Sequence, residues 1–137
     1  MRITPYLHFE GGCEAAMSFY AATFGAALPE FFRFCDIPGG SPEMAASRKI
    51  CHVSLTLPGG GELFASDFPP GVAGDAQKAV SVHLSLPTVA EAQALFVGLS
   101  EGGDGIMPFA PTFWSQGFGM VRDRFGTHWM VSGPEVG

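Results

Sequence analysis

Apolar and polar residues alternate from Ile3 to Phe9, where Ile3, Pro5, Leu7 and Phe9 interleave with Thr4, Tyr6, His8 and Glu10. A period of two predicts a strand with one apolar face. The period then lengthens: Cys13, Met17, Tyr20 and Phe24 form a single helical stripe, and Gly25 follows where a helix would stop. Ala27 to Asp36, rich in Phe, predicts a second strand. Ile37 to Lys49 carries Pro, Gly, Ser and Ala without periodicity and predicts a mobile surface loop. Ile50 to Leu57 and Glu62 to Ser66 flank the glycines of Pro58 to Gly61, the pattern of a hairpin.

The same order then recurs. Ala79 to Leu86 alternates as a strand. Thr88 to Ser100 is a helix opened by a Thr88/Glu91 capping box, with Val89, Ala92, Phe96 and Leu99 as its stripe and Gly102 and Gly103 beyond its end. Strands around Ile106 to Phe109, Phe113 to Val121 and Thr127 to Ser132 follow, the last two joined by a turn at Asp123 to Gly126. Sliding the chain on itself by 75 positions aligns Leu7 with Val82, His8 with His83, Phe9 with Leu84, Tyr20 with Leu95 and Phe24 with Leu99. The expectation is an α+β chain of two tandem βαβββ modules, about 1–70 and 77–134, in one domain whose sheets curve round a shared cup.

Composition narrows the partners. Of 137 residues, 47% are hydrophobic and 15% charged, which favours a subunit interface or an apolar pocket. A net charge of −6 is the wrong sign for gripping a phosphate backbone, so nucleic acid is excluded as the expected partner. No apolar run approaches the roughly 20 residues a membrane helix needs, and the N-terminus lacks a charged and then apolar leader. A cytoplasmic location is expected. Cys13, Cys35 and Cys51 are odd in number and show no CxxC spacing, which predicts free thiols.

If the apolar face of each strand lies under its helix, alternate residues line the other, concave face. That face holds Tyr6 and His8, then His52, Ser54 and Thr56, then Ser81, His83 and Ser85, and finally His128 and Met130. All four histidines of the chain fall there. Imidazoles so placed can line a pocket, hydrogen-bond a ligand, shuttle protons or bind a metal. A strand face displaced by one residue would turn them away, and His52, before an apolar stretch, also reads as purely structural. Other motifs carry less. Gly11 and Gly12 precede a helix without a GxGxxG fingerprint, and neither GxSxG nor HExxH occurs. Phe113, Trp114, Phe118 and Trp129 suit a core, a pocket floor or a dimer anchor.

The segments YLHFEGGCEAAMSFYAATFGA and TFWSQGFGMVRDRFGTHWMV resemble the PhnB-like branch of the vicinal oxygen chelate superfamily, which includes glyoxalases, bleomycin-resistance proteins and dioxygenases. The specific features are Phe19 and Tyr20 ahead of Phe24 and Gly25, and the run from Phe113 and Trp114 through Phe118, Gly119 and Asp123 to Phe125, Gly126 and Trp129. The branch also carries the label 3-demethylubiquinone-9 3-methyltransferase, although no glycine-rich nucleotide loop is present. The resemblance implies a cup built from two βαβββ modules, generally in a homodimer. Metal enzymes of the superfamily take one His or Glu from each of the first, fourth, fifth and eighth strands, and those slots carry over to Thr4 or Pro5, Phe64, Ser81 and Met130. None is a ligand for an ordinary divalent ion.

The expected function is therefore metal-independent binding of a small hydrophobic or aromatic molecule by a homodimer. The expected cavity is lined by Tyr6, His8, His52, Phe64, Ser81, His83, Trp114, His128 and Met130, with no metal, no cofactor and no assigned catalytic residue. The alternative is a metal-dependent lyase, isomerase or dioxygenase using displaced histidines, His83 and His128. A dimeric interaction protein with an unfilled cup is the third reading.

Overall fold

The structure, a computed structural model, describes residues 1–137. It divides into two compact units, Met1–Ala76 and Gln77–Gly137. The first contains β1 (Tyr6–Phe9), α1 (Cys13–Phe24), β2 (Phe31–Arg33), a 3₁₀ turn at Phe34–Asp36, a short α2 (Pro42–Ala45), β3 (Ile50–Thr56) and β4 (Glu62–Asp67). The second contains β5 (Ser81–Ser85), α3 (Val89–Ser100), β6 (Asp104–Ala110), β7 (Phe118–Arg122) and β8 (His128–Ser132). Their sheets share one topology, β1-β4-β3-β2 and β5-β8-β7-β6, each open, with the outer pair β1/β4 or β5/β8 parallel and the remaining pairs antiparallel. The expected α+β class, with tandem βαβββ modules, is the observed one. No helix is long and apolar enough to cross a membrane.

Each core lies where the patterning puts it. In the first unit Cys13, Met17 and Tyr20 are buried along with Leu7 and Phe9 of β1, Val53 and Leu55 of β3, and Leu63 and Ala65 of β4. Burying one Leu- or Val-sized side chain contributes about 1.5–3 kcal/mol, so this alternating set is the main drive for laying α1 on the sheet. Gly25 ends α1 in the left-handed region, at φ 69°, and Ala26 N–H reaches back to Ala21 O at 2.8 Å. In the second unit Ala92 and Leu99 are buried with Val121, Trp129 and Val131. Gly119 of β7 allows a close approach there, since a Cβ at that position would meet the Phe96 ring at 2.7 Å.

Several sequence-based boundaries need correction. Ile3 is 90% exposed and precedes the strand, which begins only at Tyr6; Thr4 and Pro5 lie outside it as well. The Ala27–Asp36 strand shrinks to Phe31–Arg33, because Arg33 N–H donates to Asp36 Oδ2 at 2.9 Å and the chain tightens into the 3₁₀ turn. The segment expected as a loop from Ile37 to Lys49 contains α2, which Ser41 caps by accepting from Met44 N–H at 3.3 Å. Finally, Phe113 to Gly117 is not strand. Thr112 Oγ1 accepts from Trp114 N–H (3.3 Å) and Ser115 N–H (3.0 Å), bending the chain before β7 begins at Phe118.

Candidate functional site: an aromatic and imidazole face

Strand alternation directs Leu7 and Phe9 into the core, and it leaves Tyr6 and His8 on the opposite face of the first sheet. The register places Tyr6 beside Phe64, and Phe64 beside Ser54, so residues from β1, β4 and β3 share that face with His52. Their rings touch in series. Tyr6 stacks on His8 with centroids 5.0 Å apart, and His8 stacks on Phe68 at 5.5 Å with only 11° between planes. On its other side Tyr6 meets His52 at 5.6 Å, and Phe64 presents an edge to both Tyr6 (6.1 Å) and His52 (5.2 Å). Offset and edge-to-face pairs of this kind are worth about 0.5–1.5 kcal/mol each beyond their buried area.

Two polar contacts orient the imidazoles. The Tyr6 hydroxyl lies 3.0 Å from His52 Nδ1, so a donating hydroxyl leaves the His52 ring proton on Nε2. Ser66 Oγ lies 3.5 Å from His8 Nδ1, at the limit of a hydrogen bond. Tyr6 nevertheless remains 40% exposed. This face is an open aromatic surface with polar points on it, able to stack a planar molecule and hydrogen-bond its edge.

The remaining site residues of the sequence reading lie in the second unit. Ser81 is opposite His128 and His83 opposite Met130 in the β5/β8 ladder, so these four share one face. His83 Nε2 and Ser132 Oγ are hydrogen-bonded at 2.7 Å, whereas His128 Nδ1 is buried without a partner. Trp114 lies off the strands, 43% exposed, packed edge-on against Phe113 (4.8 Å) and Phe118 (5.3 Å).

A family model described as 3-demethylubiquinone-9 3-methyltransferase matches residues 1–132. The chain belongs to that family. Protein PA1353 from Pseudomonas aeruginosa is 40% identical, with 97% of both chains covered and a TM-score of 0.87. A Bacillus cereus structure bearing the same family name, and also named PhnB protein, is 25% identical over 98% of this chain and all of its own, at a TM-score of 0.74. A glyoxylase/bleomycin resistance protein/dioxygenase domain from Frankia sp. EAN1pec shares the fold, with a TM-score of 0.67 at 12% identity over 100% of this chain and 93% of its own.

The positions to which the resemblance carries the metal enzymes' ligands are Thr4 or Pro5, Phe64, Ser81 and Met130, and a phenyl ring at Phe64 and a thioether at Met130 do not fit a divalent-metal centre. Nowhere do three or more His, Cys, Asp or Glu side chains gather as a cage. Neither sheet is the parallel, doubly wound type of dinucleotide-binding folds, and Gly11 and Gly12, which join β1 to α1, do not form a GxGxxG loop.

Phe68 and Ser66 also belong to the aromatic face, against His8, although neither is among the residues expected there. The signal was present, because Phe64, Ser66 and Phe68 continue one period-two series, but Phe68 falls just past the end of β4.

Proposed function

We propose that this protein binds a small aromatic or amphipathic molecule, without a glyoxalase-type metal, and does so as a cytoplasmic homodimer. The observation that supports it is the ring series Phe68, His8, Tyr6, His52 and Phe64, an open apolar surface carrying a hydroxyl and two imidazoles. Such convergence of aromatic area with few polar groups suits a ligand that needs stacking and one or two hydrogen bonds. Ser81, His83, Trp114, His128 and Met130 are proposed to supply binding surface in the second unit.

Thermal-shift screening of drug-like aromatics tests this reading. A ligand at 100 times its Kd stabilises by about 2.7 kcal/mol, and that gain should be lost in Tyr6→Ala and His52→Ala. Stabilisation that survives both replacements, or no stabilising aromatic at all, overturns the proposal. A second reading, a metal-dependent lyase, isomerase or dioxygenase using His83 and His128, draws on the unpartnered Nδ1 of His128. Stoichiometric zinc, nickel, iron or manganese lost on replacing His83 or His128 by Ala would establish it instead.

A further inference from the structure

The imidazoles of the first unit's ring series offer a ligand their edges more than their faces. His8 lies between Tyr6 (5.0 Å) and Phe68 (5.5 Å) and stacks on both, so its faces are engaged within the protein. Phe68 is backed by the chain in turn: a Cβ on Gly74 would collide with its ring, and Gly74 N–H is held by Glu10 Oε1 at 3.1 Å. His52 has Tyr6 tilted against it at 5.6 Å and the Phe64 ring at 71° to its own plane. The series is thus backed at Phe68 and accessible at Tyr6, which is exposed, and at His52, which is half-buried.

Those imidazole edges have a set polarity. A phenol hydroxyl donates better than it accepts, and the unprotonated nitrogen of an imidazole is a strong acceptor, so across the 3.0 Å contact Tyr6 donates and His52 Nδ1 accepts. The ring proton of His52 then sits on Nε2, on the far side of the ring from Tyr6. Ser66 Oγ, 3.5 Å from His8 Nδ1, biases His8 the same way but more weakly. Nε2 of neither ring has a partner in the protein, and neither imidazole pairs with a carboxylate. His83, which aligns with His8 in the sequence repeat, differs: its Nε2 is taken by Ser132 Oγ at 2.7 Å. Free N–H edges beside stacked rings therefore belong to the first unit's face.

We infer that this face selects its ligand by an oxygen acceptor, and that the class it takes is an aromatic carbonyl compound. The C=O accepts from His52 Nε2–H, with His8 Nε2–H as a second donor, while the ring of the ligand lies against Tyr6. This inference rests on the binding reading above and narrows it to one chemistry. A molecule whose edge carries only N–H groups is disfavoured there, because donors facing donors leave both unpaired.

Three probes of similar shape test it: acetylnaphthalene, its oxygen-free counterpart isopropenylnaphthalene, and naphthylmethylamine, a cation with donors only. Each is titrated into the full chain and followed by backbone amide shifts, and the ring nitrogen-15 shifts of the free protein report the histidine tautomers. His52 should carry its proton on Nε2 before any probe is added. Acetylnaphthalene should bind about fivefold more tightly than isopropenylnaphthalene, the effect of one net hydrogen bond, and naphthylmethylamine should bind most weakly. In His52→Phe, which has a ring but no N–H, the acetyl-to-isopropenyl ratio should fall to about one, and Tyr6→Phe, which frees Nδ1 to hold the proton, should reduce it by about half. A proton on His52 Nδ1, or a ratio that survives His52→Phe, overturns the inference. Equal binding of all three probes removes the selectivity and leaves the aromatic site standing, whereas no binding by any of them removes both. The tautomer and the three affinities are read on the unaltered protein, so these outcomes hold even where a variant folds poorly.

Discussion

The two units share a strand order but secure their helices by different means. In the second unit the start of α3 is closed locally: Thr88 Oγ1 accepts from Glu91 N–H at 3.1 Å, three residues along. In the first unit Gly12 has no side chain to offer, and the first N–H of α1 goes instead to Asp67, 54 residues away, which also takes Ile50 N–H. The β1/β4 register sets Asp67 opposite Phe9, and the matching pair in β5/β8 is Leu84 with Val131. A carboxylate in one copy is thus an aliphatic side chain in the other. The buried carboxylate of the second unit is Asp123, which serves its own turn by accepting from Phe125 N–H, Thr127 N–H and Trp129 Nε1–H. One unit therefore ties helix, strand and sheet through a single long-range side chain, while the other uses two short-range devices.

Replacing Asp67 by Ala should expose that difference most. It strands two buried N–H groups and should cost about 2–5 kcal/mol, against about 1 kcal/mol for Thr88→Ala, measured by urea unfolding. Hydrogen exchange should accelerate along α1 and β3 in the first variant and only at the first turn of α3 in the second. Equal losses in the two variants would erase the distinction.

Cys13 sharpens it further. Burial pushes its thiol up, and the neighbouring Asp67 and Glu14 carboxylates add to the shift. The folded state then keeps a proton that the unfolded chain releases above about pH 8.5, so this contribution to stability is intact below that pH and is lost as pH rises. The slope approaches at most about 1.4 kcal/mol per pH unit from this group, and Cys13→Ala should flatten it in unfolding curves taken from pH 7 to 10. An unchanged slope would assign the alkaline loss to other groups.

The smallest effect concerns the two faces. Tyr6→Phe removes the hydroxyl beside His52 but keeps the ring, and should lower stability by about 0.5–1 kcal/mol. The nitrogen-15 shifts of His52 should report the loss of its Nδ1 partner, while His83, bonded to Ser132 in the other unit, stays as it was. A change at His83 would mean that the faces do not behave independently.

Local patterning was enough to find the α+β architecture. The alternation of Leu7 and Phe9 with Tyr6 and His8, the stripe of Cys13, Met17 and Tyr20, the stop at Gly25 and the cap at Thr88 are all interactions between near neighbours, and these side chains are buried or bonded accordingly. Ile3 shows where pattern misleads: it continues the alternation, yet no strand forms there and the side chain stays in solvent.

What periodicity could not reveal depends on contacts distant in sequence. The hydrogen bond between Tyr6 and His52, the stacking of His8 on Phe68 and the anchoring of α1 by Asp67 join segments that only strand pairing brings together. Residue spacing determined which side chains each element buries, because helix and strand have fixed periods. Tertiary structure alone decided which polar groups meet, because a hydrogen bond or ion pair depends on positions in space that sequence separation does not encode.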